Sequence, residues 1–284
     1  MTTPKLKTWK PEFKRGKNFS MLILASRGSG KSYLCRYLLE YHLRDKFDSF
    51  IVFSDSEDEL ENYREILPGR LFFDDFYPEM VEAVVKKNKE RQQIGKPLFQ
   101  TLVLFDDKIS NKMRYDDQIL QLFTRGRHVG ISIIFISQSH VFANTTWRNN
   151  SDTIIILKQN ARQAREAIND NILIGSLDAP EDANEKKYFM NIMRHYINKE
   201  GDALVLDFNK GAFDNLYQYR APQVKKQPIA AEALRILPKG KPKPEEIEKL
   251  EEKLFNPPDP DASESSESSE DSESSSLDLA FSFL

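Results

Sequence analysis

The run Met21-Leu22-Ile23-Leu24-Ala25-Ser26-Arg27-Gly28-Ser29-Gly30-Lys31-Ser32 constrains this chain more than any other segment. An apolar stretch of strand character enters a loop with two glycines, and Tyr33–Leu39 continues with helical spacing. Strand, glycine loop and helix in that order turn consecutive backbone N–H groups inward and add the positive end of the helix, a geometry that holds phosphate oxygens. The loop matches G-x-x-x-x-G-K-[ST] except at its first position, where Ala25 stands. Alanine is tolerated there if its φ is negative, because Gly28 and Gly30 occupy the positions nearest the phosphates. On this reading Arg27, Gly28, Ser29, Gly30, Lys31 and Ser32 bind ATP, with Lys31 neutralising the β and γ phosphates and the Ser32 hydroxyl coordinating Mg²⁺. The alternative is an ordinary strand-to-helix turn.

Further apolar runs follow at Phe50–Phe53, Thr101–Phe105, Ile131–Ile136, Thr153–Leu157 and Ala203–Leu206. Near-continuous Ile, Leu, Val and Phe is how strands covered on both faces read. Helical spacing fills several gaps: Leu34/Leu38/Tyr41, Met80/Val81/Val84/Val85 and Tyr115–Phe123. The alternation predicts an α/β fold, a mainly parallel central sheet flanked by helices. The connection from Gln138 to Asp152 is polar, lacks an apolar stripe and reads as a working loop.

A nucleotide site of this kind also needs a carboxylate at the end of a neighbouring buried strand, and Leu102-Val103-Leu104-Phe105-Asp106-Asp107 supplies two. Asp106 is expected in the Mg²⁺ shell, and Asp107 is placed to orient or deprotonate the attacking water. The pair could equally cap the following turn. The run Ile134-Phe135-Ile136-Ser137-Gln138 puts Gln138 at the same carboxyl edge, where ligands bind in open α/β sheets. Its amide can bond a γ-phosphate or water there, or simply face solvent.

Composition narrows the rest. The single Cys35 excludes an intramolecular disulfide framework, and four histidines with one cysteine offer no metal cluster. No signal peptide is visible at the N-terminus and no apolar run approaches the ~20 residues of a spanning helix, so no direct membrane insertion is expected. The net charge of −3 conceals an asymmetry: residues 257–284 hold eight acidic side chains and no Lys or Arg, leaving 41 basic against 36 acidic groups in residues 1–256. A mildly basic body is compatible with nucleic acid. Lys86-Lys87-Asn88-Lys89-Glu90-Arg91 and the lysines and arginine of residues 5–17 could follow phosphates without reading sequence.

With Arg125-Gly126-Arg127-His128-Val129-Gly130-Ile131-Ser132 before the third of these strands, and Trp147-Arg148-Asn149-Asn150-Ser151-Asp152 before the next, the order of motifs resembles a known family. It is similar to the poxvirus-type genome-packaging ATPases of large double-stranded DNA viruses and virophages, P-loop NTPases of the FtsK/HerA superfamily, over about residues 18–208. The resemblance implies a RecA-like core, a homo-oligomeric ring (pentamer or hexamer), ATP and Mg²⁺ as cofactors, and translocation of double-stranded DNA into a preformed capsid. It also implies residence in the host cytoplasm, at viral factories, and in the virion. An arginine reaching a neighbouring subunit's ATP is implied as well; Arg148 is preferred, with Arg125 and Arg127 as alternatives. A nucleoside or nucleotide kinase shares the loop and the size, and a nucleotide-gated assembly protein or another DNA-pumping or helicase-type ATPase would share the core.

The expected organisation is a basic N-terminal arm (1–17), an ATPase core (18–210), a Pro-interrupted, partly helical extension (211–256) and a Ser/acidic tail (257–284) too poor in apolar surface to order itself. The tail's apolar end, Leu277 to Leu284, has the spacing of a docking peptide for a capsid or portal-vertex protein.

Overall fold

The computed structural model describes residues 3–67, 71–106, 113, 116–138, 143, 145–162, 164, 172–173, 176–180, 184–211, 214–223, 249–250, 252 and 255. Strands β1 (Ser20–Leu24), β2 (Ser49–Ser54), β3 (Leu71–Phe73), β4 (Thr101–Asp106), β5 (Ile131–Ser137), β6 (Thr153–Leu157), β7 (Asp202–Asp207) and β8 (Leu216–Arg220) form an eight-stranded sheet. The order is β3-β2-β4-β5-β1-β6-β7-β8. The first six strands in that order run parallel, and β7 and β8 are antiparallel to their neighbours.

Each strand from β1 to β6 is buried along its whole length, which explains why these runs read as continuous Ile, Leu, Val and Phe rather than alternating. Successive residues still point to opposite faces. Leu22, Phe53, Val103, Phe105, Ile133 and Phe135 join one apolar cluster with helices α3 (Pro78–Gln93) and α4 (Asp117–Arg125). Met21, Ile23, Val52, Leu102, Leu104, Ile134 and Ile136 join the other with α1 (Lys31–Leu38) and α2 (Glu57–Arg64). Across the first face Phe73, Phe53, Phe105 and Phe135 stack in a row over four neighbouring strands, at centroid spacings of 5.6, 5.0 and 5.3 Å. Such pairs add about 0.5–1.5 kcal/mol each beyond area burial.

Two expectations of local structure change. The stripe Leu34/Leu38/Tyr41 keeps its first two members buried, but Tyr41 is 46% exposed. A wider turn over Leu39–Leu43 follows α1 and rotates Leu39 and Leu43 inward in its place. The polar connection after Gln138 contains a short helix, α5 (Thr145–Asn149), pinned by Trp147, which is fully buried against Phe123 and Phe135. At the far edge the N-terminal segment is docked: Thr8 bridges Gln218 of β8, and the buried Trp9 indole donates to Asp207 at 2.9 Å. In the basic run on α3, Asn88 is buried and ties together the Phe99 and Val129 carbonyls, so that run also holds the sheet's amino edge.

Candidate functional site

Parallel register brings the candidate residues to one edge. β4 pairs with β5 so that Asp106 is level with Ile136, and β5 pairs with β1 so that Ser137 is level with Leu24. The phosphate loop, Asp106 and Gln138 therefore emerge together at the carboxyl ends of β1, β4 and β5. Ala25 N–H donates to the Ser137 carbonyl at 3.0 Å, which locks the loop's start to β5. Among the described residues Asp214 is the only non-glycine with positive φ, so Ala25 occupies ordinary backbone space where a glycine is common.

Gly28 and Gly30 do need their glycines, at φ of 69° and 87°. Gly30 has a second constraint, because a Cβ there would lie 3.1 Å from the Gly201 nitrogen and 3.2 Å from its Cα. Gly201 N–H in turn donates to the Ser29 carbonyl, so the turn before β7 braces the loop from outside. Arg27 is exposed, while Ser29 is buried, with an Oγ that has no hydrogen-bond partner among the described residues. A buried hydroxyl without a partner in a glycine-containing strand-to-helix loop is a donor that an anionic ligand can satisfy.

Lys31 opens α1 and reaches across β5 to β4. Its Nζ lies 3.3 Å from Asp106 Oδ1, with side chains 9% and 0% exposed. The other carboxylate oxygen, Oδ2, accepts from the Tyr63 hydroxyl at 2.6 Å, and Tyr63 is fully buried on α2. Burial first, then the negative charge of its neighbours, pushes the Tyr63 phenol well above its ordinary range, so the hydroxyl stays a donor. The same two causes, burial and Asp106, push the adjacent Cys35 thiol up and leave it inert. A buried ion pair costs more desolvation than apolar residues of the same size, so Lys31 and Asp106 are poorly explained by stability alone.

The Ser32 hydroxyl donates to Glu59 Oε1 at 2.6 Å. Glu59 was not legible in sequence. Ser56-x-x-Glu59 spells a capping box, which assigns the glutamate to its own helix end. Half of that box forms, since Ser56 Oγ accepts from Glu59 N–H, but Ser56 N–H is taken by Ser54 Oγ and the Glu59 carboxylate turns to the loop instead. Spacing of four residues puts Glu59 and Tyr63 on one side of α2, both facing the loop and Asp106. Ser32 and Asp106 are hard oxygen donors of the kind Mg²⁺ takes with waters and phosphates, and the described residues hold no larger cluster of metal-ligating side chains. They fit that ion.

Gln138 stands one residue beyond β5, half-buried beside the loop. Asp107 lies outside the described residues. The three arginines sit elsewhere. Arg125 ends α4 and is exposed, and Arg127 pairs with Asp152 at 2.7 Å. Arg148 donates to the Ala143 carbonyl at 2.6 Å and to Thr145 Oγ1 at 3.3 Å. All three precede β5 or β6 and lie toward the amino edge of the sheet; Asn150, just after Arg148, is bonded by Ser20 Oγ at the start of β1. The fold thus brings Lys31, Ser32, Asp106 and Gln138 together and sets the arginines apart.

Comparison with known proteins agrees with this architecture. Over 142 residues the chain is 25% identical to protein 015R of Frog virus 3, spanning 49% of this chain and 44% of that protein. It is 25% identical over 206 residues to protein 075L of Invertebrate iridescent virus 6, spanning 72% and 78%. The chain thus spans less than half the length of the Frog virus 3 relative. Among solved structures, the DNA-packaging ATPase B204 from Sulfolobus turreted icosahedral virus shares the fold, with a TM-score of 0.50 at 14% identity over 74% of this chain and all of that one. A loop, a carboxylate strand and an intervening strand in this arrangement, matched over residues 9–206 by the model of the Poxvirus A32 protein family, identify the chain as a member of that family.

Proposed function

We propose that this chain is an ATP-hydrolysing motor that translocates double-stranded DNA and packages a viral genome into a preformed capsid. The observation that carries the ATPase is the buried Lys31–Asp106 pair, formed across an intervening strand that Gln138 follows. Membership of the Poxvirus A32 family and the fold shared with a packaging ATPase support the DNA-directed use of that chemistry. A nucleoside kinase is not favoured by either.

In this mechanism the backbone N–H groups of residues 27–32 hold the phosphates, and Lys31 exchanges Asp106 for the β and γ phosphate oxygens. Asp106 stays held by Tyr63 and, with Ser32, would hold Mg²⁺. Mg²⁺, when bound, withdraws charge from the phosphate oxygens. Asp107 orients the attacking water and Gln138 bonds the γ-phosphate or that water. The position of the arginines toward the amino edge, away from the loop, supports a reading in which Arg148 or its alternatives act on a neighbour's nucleotide in a head-to-tail ring, pentameric or hexameric. The tail of residues 257–284, outside the described residues, serves as a tether whose apolar end docks on a capsid or portal-vertex protein. Among the described residues no helix is long and apolar enough to cross a membrane.

The test is hydrolysis measured with and without duplex DNA and with nucleoside acceptors. DNA stimulation supports the motor, and dependence on a nucleoside acceptor would replace it with a kinase.

A further inference from the structure

Glu59 is the acidic group at this edge that no step above uses. Its Oε1 takes the Ser32 hydroxyl at 2.6 Å, and its Oε2 is shut off from solvent with no hydrogen-bond partner among the described residues. A carboxylate oxygen buried without a donor is costly unless a ligand completes it. Helix capping does not explain the side chain, since Ser54 Oγ has taken the N–H that a capping glutamate would accept. Nor does an ion pair: the basic groups nearby on these helices are committed elsewhere, Arg36 to Asn62 and Glu65, and Arg64 to Glu61. Charge at this spot therefore serves whatever sits beside Ser32.

We infer that Glu59 is a second carboxylate of the nucleotide site, acting beside Asp106 to raise its affinity for a divalent cation. In the nucleotide-free chain it holds the Ser32 hydroxyl in a fixed rotamer. With a cation held at Ser32, the Glu59 carboxylate would act on it through the Ser32 hydroxyl, whose hydrogen bond it accepts, and through its charge. Outer carboxylates of this kind orient ligands and add favourable charge without direct coordination. The rigid α2 carries Glu59 and Tyr63 together, so one helix sets both the outer carboxylate and the donor that orients Asp106. The inference rests on the ATPase reading and deepens it.

The experiment follows binding rather than turnover. A fluorescent ATP analogue is titrated onto the full chain in EDTA and across a range of Mg²⁺ concentrations, for wild type, Glu59→Gln and Glu59→Ala. Glu59→Gln preserves shape and removes charge; circular dichroism melts establish that both variants are folded. Loss of the carboxylate should raise the Mg²⁺ concentration giving half of the metal's effect by about 10-fold or more, the usual scale for such outer partners. Binding in EDTA should be unchanged or tighter, because a negative group near the phosphates is gone. An unaltered Mg²⁺ dependence in folded Glu59→Gln overturns the inference, as does an equal loss in EDTA, which would mean that Glu59 only shapes the loop. Wild-type protein that binds no nucleotide under any condition would instead defeat the ATPase reading itself.

Discussion

Deleting one oxygen atom, in Tyr63→Phe, probes whether the catalytic edge is held together as described. Tyr63 is fully buried and its ring packs in the cluster with α1 and the sheet, so phenylalanine keeps the packing and removes only the hydroxyl. That hydroxyl donates at 2.6 Å to Asp106, itself 0% exposed. A hydrogen bond to a charged group contributes about 1.5–3 kcal/mol. With a shift of about 2–4 °C per kcal/mol in a domain of this size, the melting temperature should fall by about 3–12 °C. The loss should extend to function: Asp106 would lose the donor on its Oδ2, and the Mg²⁺ needed for tight nucleotide binding should rise about 10-fold or more. Calorimetry of the nucleotide-free chain and an Mg²⁺ titration with a fluorescent nucleotide measure the two effects. A variant that melts with the wild type and keeps its Mg²⁺ dependence would refute the reasoning, because the bond would then neither stabilise the carboxylate nor orient it.

Gly30→Ala should cost about 1–2 kcal/mol for the left-handed backbone alone; its Cβ would also press on the Gly201 backbone, and weakened nucleotide binding in a folded protein is the expected outcome. Subunits carrying Arg148→Ala, mixed with Lys31→Ala subunits, should recover part of the lost ATPase activity in mixed rings, since an intact loop can then face an intact arginine; no recovery would transfer the role to Arg127 or Arg125. Alkali should destabilise the fold in a defined sense. Cys35 and Tyr63 both have raised pKa values, so the stability they contribute is complete below their unfolded values and is lost as pH rises. Above the unfolded thiol value of about 8.5 the loss should run near 1.4 kcal/mol per pH unit for Cys35, and urea melts of Cys35→Ala between pH 8 and 10 should show a correspondingly shallower decline.

Much of this site was legible because its determinants are local. The phosphate loop is contiguous, and the apolar runs ending at Leu24, Phe105 and Ile136 were long enough to be read as buried strands, which placed Lys31, Asp106 and Gln138 on one edge. β3 and β8 were missed for opposite reasons: Leu71–Phe73 is only three residues long, and Leu216–Arg220 mixes polar and aromatic residues at a sheet edge. The antiparallel turn of β7 also carries no local signature. Glu59 and Tyr63 escaped because their roles depend on how α2 crosses the carboxyl edge, a tertiary relation. Locally, Glu59 reads as a cap and Tyr63 as core. The arginines illustrate a different limit: Arg127 and Arg148 bond within their own chain, to Asp152 and to Ala143 and Thr145, and neither the sequence nor one chain's contacts can assign a role across a subunit boundary.

The most direct test of the central claim is steady-state ATP hydrolysis by the full chain with increasing lengths of duplex DNA, alongside Lys31→Ala. The account predicts Mg²⁺-dependent hydrolysis that duplex DNA stimulates and that Lys31→Ala abolishes, because without the ammonium the β and γ phosphates lose their neutralising partner. Hydrolysis indifferent to DNA, or wild-type turnover by Lys31→Ala, would contradict it.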